Sequence, residues 1–236
     1  LAAGRGSRMG SLTQDMPKCL TPLHGKPLLE WQLKALREAG CNSIGMVRGY
    51  RAEWLQPPEV TLFENPRWSE TNMVMSLIAA QDWLKQSPCL VSYSDIVYHS
   101  EVVKALWTSQ ADISITYDRL WFQLWQARFE DPLSDAETFQ INHEGQLLEI
   151  GNRTQNLEDI QGQYMGLLKF TPHGWQQVVH LLTTLTPQEQ DKLDMTHLLK
   201  LLLQQGVSIA TVGIEGNWCE IDNEKDLEVA HRLFSP

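Results

Sequence analysis

Strand-length apolar runs alternate with helix-length amphipathic segments through the first half of this 236-residue chain. That alternation restricts it to an α/β fold. Residues 27–39 place Leu28, Leu29, Trp31, Leu33, Leu36 and Ala39 on one stripe, with Pro27 at the first turn and Gly40 behind, the punctuation of a helix. Residues 43–47 and 60–63 have the length of strands. Residues 72–85 form a second helix, capped by Thr71 or Asn72. Residues 89–93 are a buried strand running into Asp95, 102–109 a helix, and 112–117 a further strand. Strands joined through helices pair in parallel with right-handed crossovers. The expected architecture is a three-layer, mostly parallel sheet of dinucleotide-binding, Rossmann-like type.

Beyond residue 118 the pattern changes. Residues 121–135 read as irregular and aromatic-rich. Segments 138–142 and 146–150 flank the turn residues Asn142, His143, Glu144 and Gly145, a hairpin signal. Residues 164–170, 207–212 and 218–221 read as strands, and 172–182, 187–205 and 224–234 as helices. No repeat or linker interrupts the chain, so 1–236 is read as one domain with 119–170 inserted as a subregion. The chain opens directly on a loop, so a hydrophobic strand is expected upstream, with a fused partner domain left open.

Charge narrows the function. The net charge is −10, a poor basis for sequence-independent nucleic-acid binding, which runs on clustered Lys and Arg. The four cysteines are scattered, without zinc-ligand spacing, and suit buried thiols in a reducing compartment. Apolar runs are too short to span a bilayer, and no signal peptide is visible, so a cytoplasmic location is expected.

The basic residues concentrate near the start. Leu1-Ala2-Ala3-Gly4-Arg5-Gly6-Ser7-Arg8-Met9 is a glycine-rich loop with two arginines, and Pro17-Lys18 and Gly25-Lys26-Pro27 follow. Glycines let backbone N–H groups approach phosphate oxygens, and Arg5, Arg8 and Lys18 add charge there. A loop of this kind binds a polyphosphate. It is neither G-x-x-x-x-G-K-[ST] nor the full G-x-G-x-x-G. In an open α/β sheet ligands lie beyond the carboxyl ends of the strands. The first loop, Asp95 and the segment around Asp222 all follow strands, so they are expected on one rim.

The paired motif, Leu1-Ala2-Ala3-Gly4-x-Gly6-x-Arg8-Met9 with Pro17-Lys18 and Gly25-Lys26-Pro27, resembles the signature of the nucleotidyltransferases that make NDP-sugars and CDP-alcohols. The resemblance implies a GT-A-like variant of the Rossmann-like fold. It implies a nucleotide held by Leu1, Ala2, Ala3, Gly4, Arg5, Gly6, Ser7 and Arg8, with the base contacted by Thr71 and Asn72. It further implies Arg8, Lys18, Asp95 and Asp222 as catalytic residues, with Asp95 and Asp222 binding Mg²⁺. Glu220 is the weaker metal candidate. The carboxylates suit a cation that prefers oxygen ligands, and Lys18 suits charge developing at a phosphate. A helix-capping role is the competing reading for Asp95 and Asp222, and a plain N-cap for Thr71 and Asn72.

Further segments, Ser69 to Leu77, Asp131 to Phe139 and Gly162 to Phe170, are similar to a phosphocholine and 2-aminoethylphosphonate cytidylyltransferase-like subgroup. This implies CTP and a small phosphonate or phosphomonoester as partners, 2-aminoethylphosphonate first among them, with 119–170 binding the acceptor. A homodimer is left open, and neither nucleic acid nor membrane is expected. Trp121 and Trp125 offer aromatic faces for an ammonium group, beside Glu130, Asp131, Asp135 and Glu137. Packing beneath a loop is the alternative for the two rings. Arg128 and Arg153 are candidates for the acceptor's phosphonate or phosphate. A sugar-1-phosphate enzyme using UTP or dTTP stays open, as does a catalytically silent nucleotide-sensing or scaffold domain. A glycosyltransferase is disfavoured because Asp95 lacks an Asp-x-Asp partner.

Overall fold

The computed structural model of the chain describes residues 1–6 and 16–235; Ser7 and Arg8 lie outside the described residues. In chain order the elements are β1 (Pro22–Leu23), β2 (Lys26–Pro27), α1 (Leu28–Glu38), β3 (Gly45–Arg48), β4 (Thr61–Glu64), α2 (Met73–Ile78), α3 (Gln81–Gln86), β5 (Cys89–Ser92), β6 (Ile96–Tyr98), α4 (Ser100–Trp107) and β7 (Ile113–Asp118). There follow α5 (Trp121–Arg128), β8 (Glu137–Ile141), β9 (Leu147–Arg153), β10 (Gln163–Phe170), α6 (Pro172–Thr183), α7 (Pro187–Lys192), α8 (Met195–Gln204), β11 (Ala210–Ile214), β12 (Trp218–Glu220) and α9 (Glu224–Leu233).

The central sheet runs β11-β7-β10-β5. Strands β11 and β7 are parallel, and β10 lies antiparallel to both β7 and β5. Thus β5, β7 and β11 share a direction, with β10 inserted against them. Strands β3 and β4 are parallel. Ala2 bridges Arg48 in parallel, and the Leu1 nitrogen donates to the Ser92 carbonyl at 2.6 Å. The first residues are thereby seated between β3 and β5.

Helices cover both faces. Leu28 of α1, Val103 and Leu106 of α4, Trp121 and Leu124 of α5 and Val229 of α9 share one core cluster. Val74 of α2, Leu84 of α3, Trp175 and Val178 of α6 and Leu198 of α8 belong to another. Two apolar layers around one sheet are what alternating strands and amphipathic helices require. An apolar cavity of about 600 Å³ opens between β3 and β5, lined by Leu33, Met46, Val91 and Trp107 among others. Lys18, Asp95, Glu220 and Asp222 are absent from its walls, so the polar chemistry lies elsewhere. Among the described residues, no helix is long and apolar enough to cross a membrane.

Three expectations change. The stretch expected to be irregular from residue 121 is helical over Trp121–Arg128. Its buried positions, Trp121, Leu124, Trp125 and Arg128, follow helical spacing, but the last place in the stripe is a cation. The helix expected over 72–85 breaks at Ala79–Ala80 into α2 and α3. The one expected over 187–205 breaks at Leu193–Asp194, where Leu193 turns inward and Asp194 caps the His197 amide at 2.7 Å.

The turn between β11 and β12 hangs on Asp118, which is fully buried. Its carboxylate accepts from the amides of Leu120 and Gly216 and from Trp218 Nε1, each at 2.9 Å. Each bond to a charged acceptor is worth about 1.5–3 kcal/mol when the donor would otherwise be left buried. We expect Asp118→Ala to lower unfolding stability by about 3 kcal/mol or more, read by urea titration, since Trp218 loses its partner.

Candidate active site

Lys18 opens a 3-10 turn behind Pro17 and is 6% exposed. Its stem lies against the glycine-rich loop. Gly6 has φ +70°, and a Cβ there would stand 2.6 Å from Lys18 Cβ, so only glycine lets loop and lysine meet. The Lys18 ammonium donates to Asp95 Oδ2 at 2.9 Å and to Asp222 Oδ1. Burial alone would lower its pKa; Asp95 and Asp222 outweigh that and hold it above the ordinary lysine value.

Asp95 follows β5, as an acid at a strand end should, and does not cap a helix: His99 is the N-cap of α4. Its backbone is gripped from two sides. Gln32, a buried amide on the otherwise apolar face of α1, donates to the carbonyls of Tyr93 at 2.9 Å and Ile96 at 2.5 Å. The Ile221 amide donates to the Asp95 carbonyl at 2.9 Å. Antiparallel pairing of β12 with β6 sets Glu220 opposite Ile96, which carries the second acidic segment to the first. Asn223, not Asp222, caps α9.

Oxygens of Asp95, Glu220 and Asp222 all lie within 4.8 Å of one another. Burial and the neighbouring Asp222 push the Glu220 carboxyl up to about 7, against the pull of Arg128. Arg128 is 2% exposed. It donates to both Asp226 oxygens, at 2.9 and 3.3 Å, and to Glu220 Oε2 at 3.2 Å. Asp226 Oδ2 also accepts the Asp222 amide at 2.9 Å. A buried guanidinium on α5 therefore holds, through Asp226 and Glu220, the segment that carries two of the three acids. The donor set fits a hard divalent cation: the ligands are carboxylate oxygens, and Asp95 Oδ1 is buried without a partner among the described residues.

Residues 1–138 match the MobA-like NTP transferase domain. The chain belongs to that nucleotidyltransferase family. It is 34% identical to the CTP:phosphoglutamine cytidylyltransferase of Campylobacter jejuni, over 97% of this chain and 96% of that protein. A 2-aminoethylphosphonate cytidylyltransferase of Lancefieldella rimae is 38% identical over 43% of each chain. Among solved structures, the CTP:phosphocholine cytidylyltransferase of Streptococcus pneumoniae superposes with TM-score 0.71 at 18% identity, covering 98% of this chain and 96% of that one. The inositol-1-phosphate CTP transferase of T. maritima gives 0.77 at 19%, covering 98% and 93%.

In this nucleotidyltransferase several other expected site residues sit differently. Trp121 and Trp125 are 5% and 3% exposed and do not form an open ammonium cage. Trp125 packs on Trp121, Phe129 and Trp218 and donates to Asp135 at 3.1 Å. The cation over its ring is the protein's own: the Arg128 guanidinium lies 5.0 Å from the centroids of Trp125 and Phe129. Arg128 is thus a buried clamp on carboxylates rather than an acceptor ligand. Arg153 donates to the carbonyls of Ser134 and Asp135, bracing the hairpin. Thr71 donates to the Arg67 carbonyl and accepts from Asn65. Asn72 caps α2 and donates to the Lys192 carbonyl at 3.3 Å. Both polar side chains of the expected base-contacting pair are thus engaged in holding the start of α2. Gly4 and Arg5 are exposed, with Arg5 5.8 Å from the Tyr50 ring centroid, while Ala2 and Ala3 are buried.

Neither Gln32 nor Asp226 stands out in the sequence as a site residue. The trace of Gln32 was an amide inside an apolar helix stripe; Asp226 stood in the first turn of α9, where acids are ordinary.

Two outcomes follow from the buried charges. Arg128→Met should cost about 3–5 kcal/mol of stability, since breaking a buried pair strands its acids; adding Asp226→Leu should recover part of that in urea unfolding. For Glu220 the folded pKa is raised, so the stability it contributes is present at acid pH and lost as pH rises through about 7. Without divalent cation, the wild type should lose melting temperature relative to Glu220→Gln between about pH 4.5 and 7.

Proposed function

We propose that the enzyme transfers the cytidylyl group of CTP to a small acceptor that carries a phosphorus-bound oxyanion and a cationic nitrogen, with Mg²⁺ held by Asp95 and Asp222 and joined by Glu220. The observation that carries this reading is the Lys18 ammonium lying between Asp95 and Asp222 beside the glycine-rich loop. The named relatives support the acceptor class. Phosphoglutamine, 2-aminoethylphosphonate and choline phosphate each combine those two charges. Phosphoglutamine leads, because that likeness extends over 97% of this chain.

In this reaction an acceptor oxygen forms a bond to the α-phosphorus of CTP. The bond from that phosphorus to the bridging oxygen breaks, and pyrophosphate leaves with the electron pair. No proton has to move. Both partners are anions, so the work is in-line positioning and charge neutralisation. Backbone amides of residues 3–6, beyond the Leu1 and Ala2 nitrogens that bond the sheet, would be the donors for the triphosphate, and Lys18 supplies the mobile positive charge at the reacting phosphate. Gln32, Asp226 and Arg128 keep the acids in place. When bound, a divalent cation would neutralise phosphate charge and orient the α-phosphate. Arg8, by its place in the motif, would hold the β- and γ-phosphates.

Pyrophosphate release with Mg²⁺ and CTP, measured with phosphoglutamine, 2-aminoethylphosphonate, phosphocholine and glucose-1-phosphate, tests the proposal. Turnover with one of the nitrogen-bearing acceptors is expected. Asp95→Asn should reduce it at least about 100-fold, the scale of losing one electrostatic contact to the transition state. Turnover only with the sugar phosphate would refute the acceptor class, and turnover only when UTP or dTTP replaces CTP would refute the nucleotide, each leaving the placement of the acids intact. An unchanged rate in Asp95→Asn would refute the site.

A further inference from the structure

Two cations touch the acid cluster, and they are not equivalent. Arg128 is fixed. Its side chain is 1% exposed, bonded to Asp226 and Glu220, and covered by Trp125 and Phe129. Lys18 holds Asp95 and Asp222 by a single terminal nitrogen at the end of a flexible stem, and that stem rests on Gly6 of the phosphate-binding loop. The oxygens it occupies, Asp95 Oδ2 and Asp222 Oδ1, belong to the residues that would ligate a metal. An ammonium holding one oxygen of each aspartate competes with a divalent ion for the same two carboxylates, because the two cations repel at such range.

We infer that Lys18 is the resident counter-ion of the acid cluster in the ligand-free protein, and that a metal enters the Asp95–Asp222 position only once the nucleotide's phosphates draw the ammonium away. The inference rests on the reading of that cluster as the metal site. Three buried or half-buried carboxylates within 4.8 Å repel one another when ionised, and Lys18 relieves that repulsion until a ligand arrives. The triphosphate supplies the anion that Lys18 needs in exchange, so the lysine moves between two anionic partners and never stands buried without one. Metal and nucleotide then bind as a linked pair, each tightening the other by the same factor, and metal alone binds weakly. The glycine at position 6 has a second use here: it leaves room for the lysine stem to swing beside the loop.

Direct binding of Mn²⁺, followed by the loss of its free-ion EPR signal in the absence of nucleotide, tests this on the wild type and on Lys18→Met. The variant should bind Mn²⁺ at least tenfold more tightly than the wild type, and the gain should vanish in Lys18→Met/Asp222→Asn. Lys18→Gln, which keeps a donor but no charge, should also bind more tightly than the wild type and serves if the methionine variant fails to fold. A folded Lys18 variant that binds Mn²⁺ no better than the wild type overturns the inference and leaves the metal reading standing. Absence of Mn²⁺ binding by every protein, with and without CTP, overturns both.

Discussion

The ion pairs of Lys18 with Asp95 and Asp222 join three segments that are remote in sequence. One is the turn after the glycine-rich loop, one the end of β5, and one the link between β12 and α9. Each alone is a short polar stretch at the edge of a sheet. Together they form a site in which charge is buried, and buried charge is stable only when paired and hydrogen-bonded. The rest of the architecture serves that condition. The β6–β12 pairing brings the third segment to the second, Gln32 fixes the carbonyls around Asp95, and Gly6 admits the lysine stem.

Behind the acids stands a second set of charges. Arg128 and Asp226 are almost wholly inside the protein, and each bonds the other as well as a neighbour that bears on the site. This arrangement is expensive to desolvate, and apolar residues of similar size would stabilise the fold at least as well. Its effect is on geometry: the strand end carrying Glu220 and Asp222 is tied to α5 and to the first turn of α9. The aromatic rings of Trp125 and Phe129 close over the guanidinium, so α5 contributes rigidity to the acid cluster rather than an open cage for a ligand.

Much of this was legible in the chain. The paired loop motifs identify Lys18 by position, and acids directly after apolar strands identify Asp95 and Asp222, because a charged residue at that place belongs to the rim of a parallel sheet. Less legible were residues whose role depends on burial. Arg128 occupies a position that looks like a surface arginine suited to an anionic ligand; its helix stripe places it indoors, where it hydrogen-bonds acids and lies against two aromatic rings. Trp121 and Trp125 looked available for an ammonium group because aromatic residues in an apparently irregular segment carry no sign of which face is covered. Glu220 ranked behind Asp222 because the strand pairing that sets it opposite Ile96 joins positions far apart in the chain.

The sequence by itself determined the alternation of strands and helices, the glycine-rich loop with its basic residues, and the identity of the acids, since periodicity, turn chemistry and motif spacing are local properties of a chain. Only the tertiary structure decided that β10 runs against its neighbours, that Gln32 and Arg128 face inward, and that one ammonium is shared by Asp95 and Asp222. Those facts depend on which distant surfaces bury one another, and burial is what turns an ordinary polar side chain into one that must find a partner.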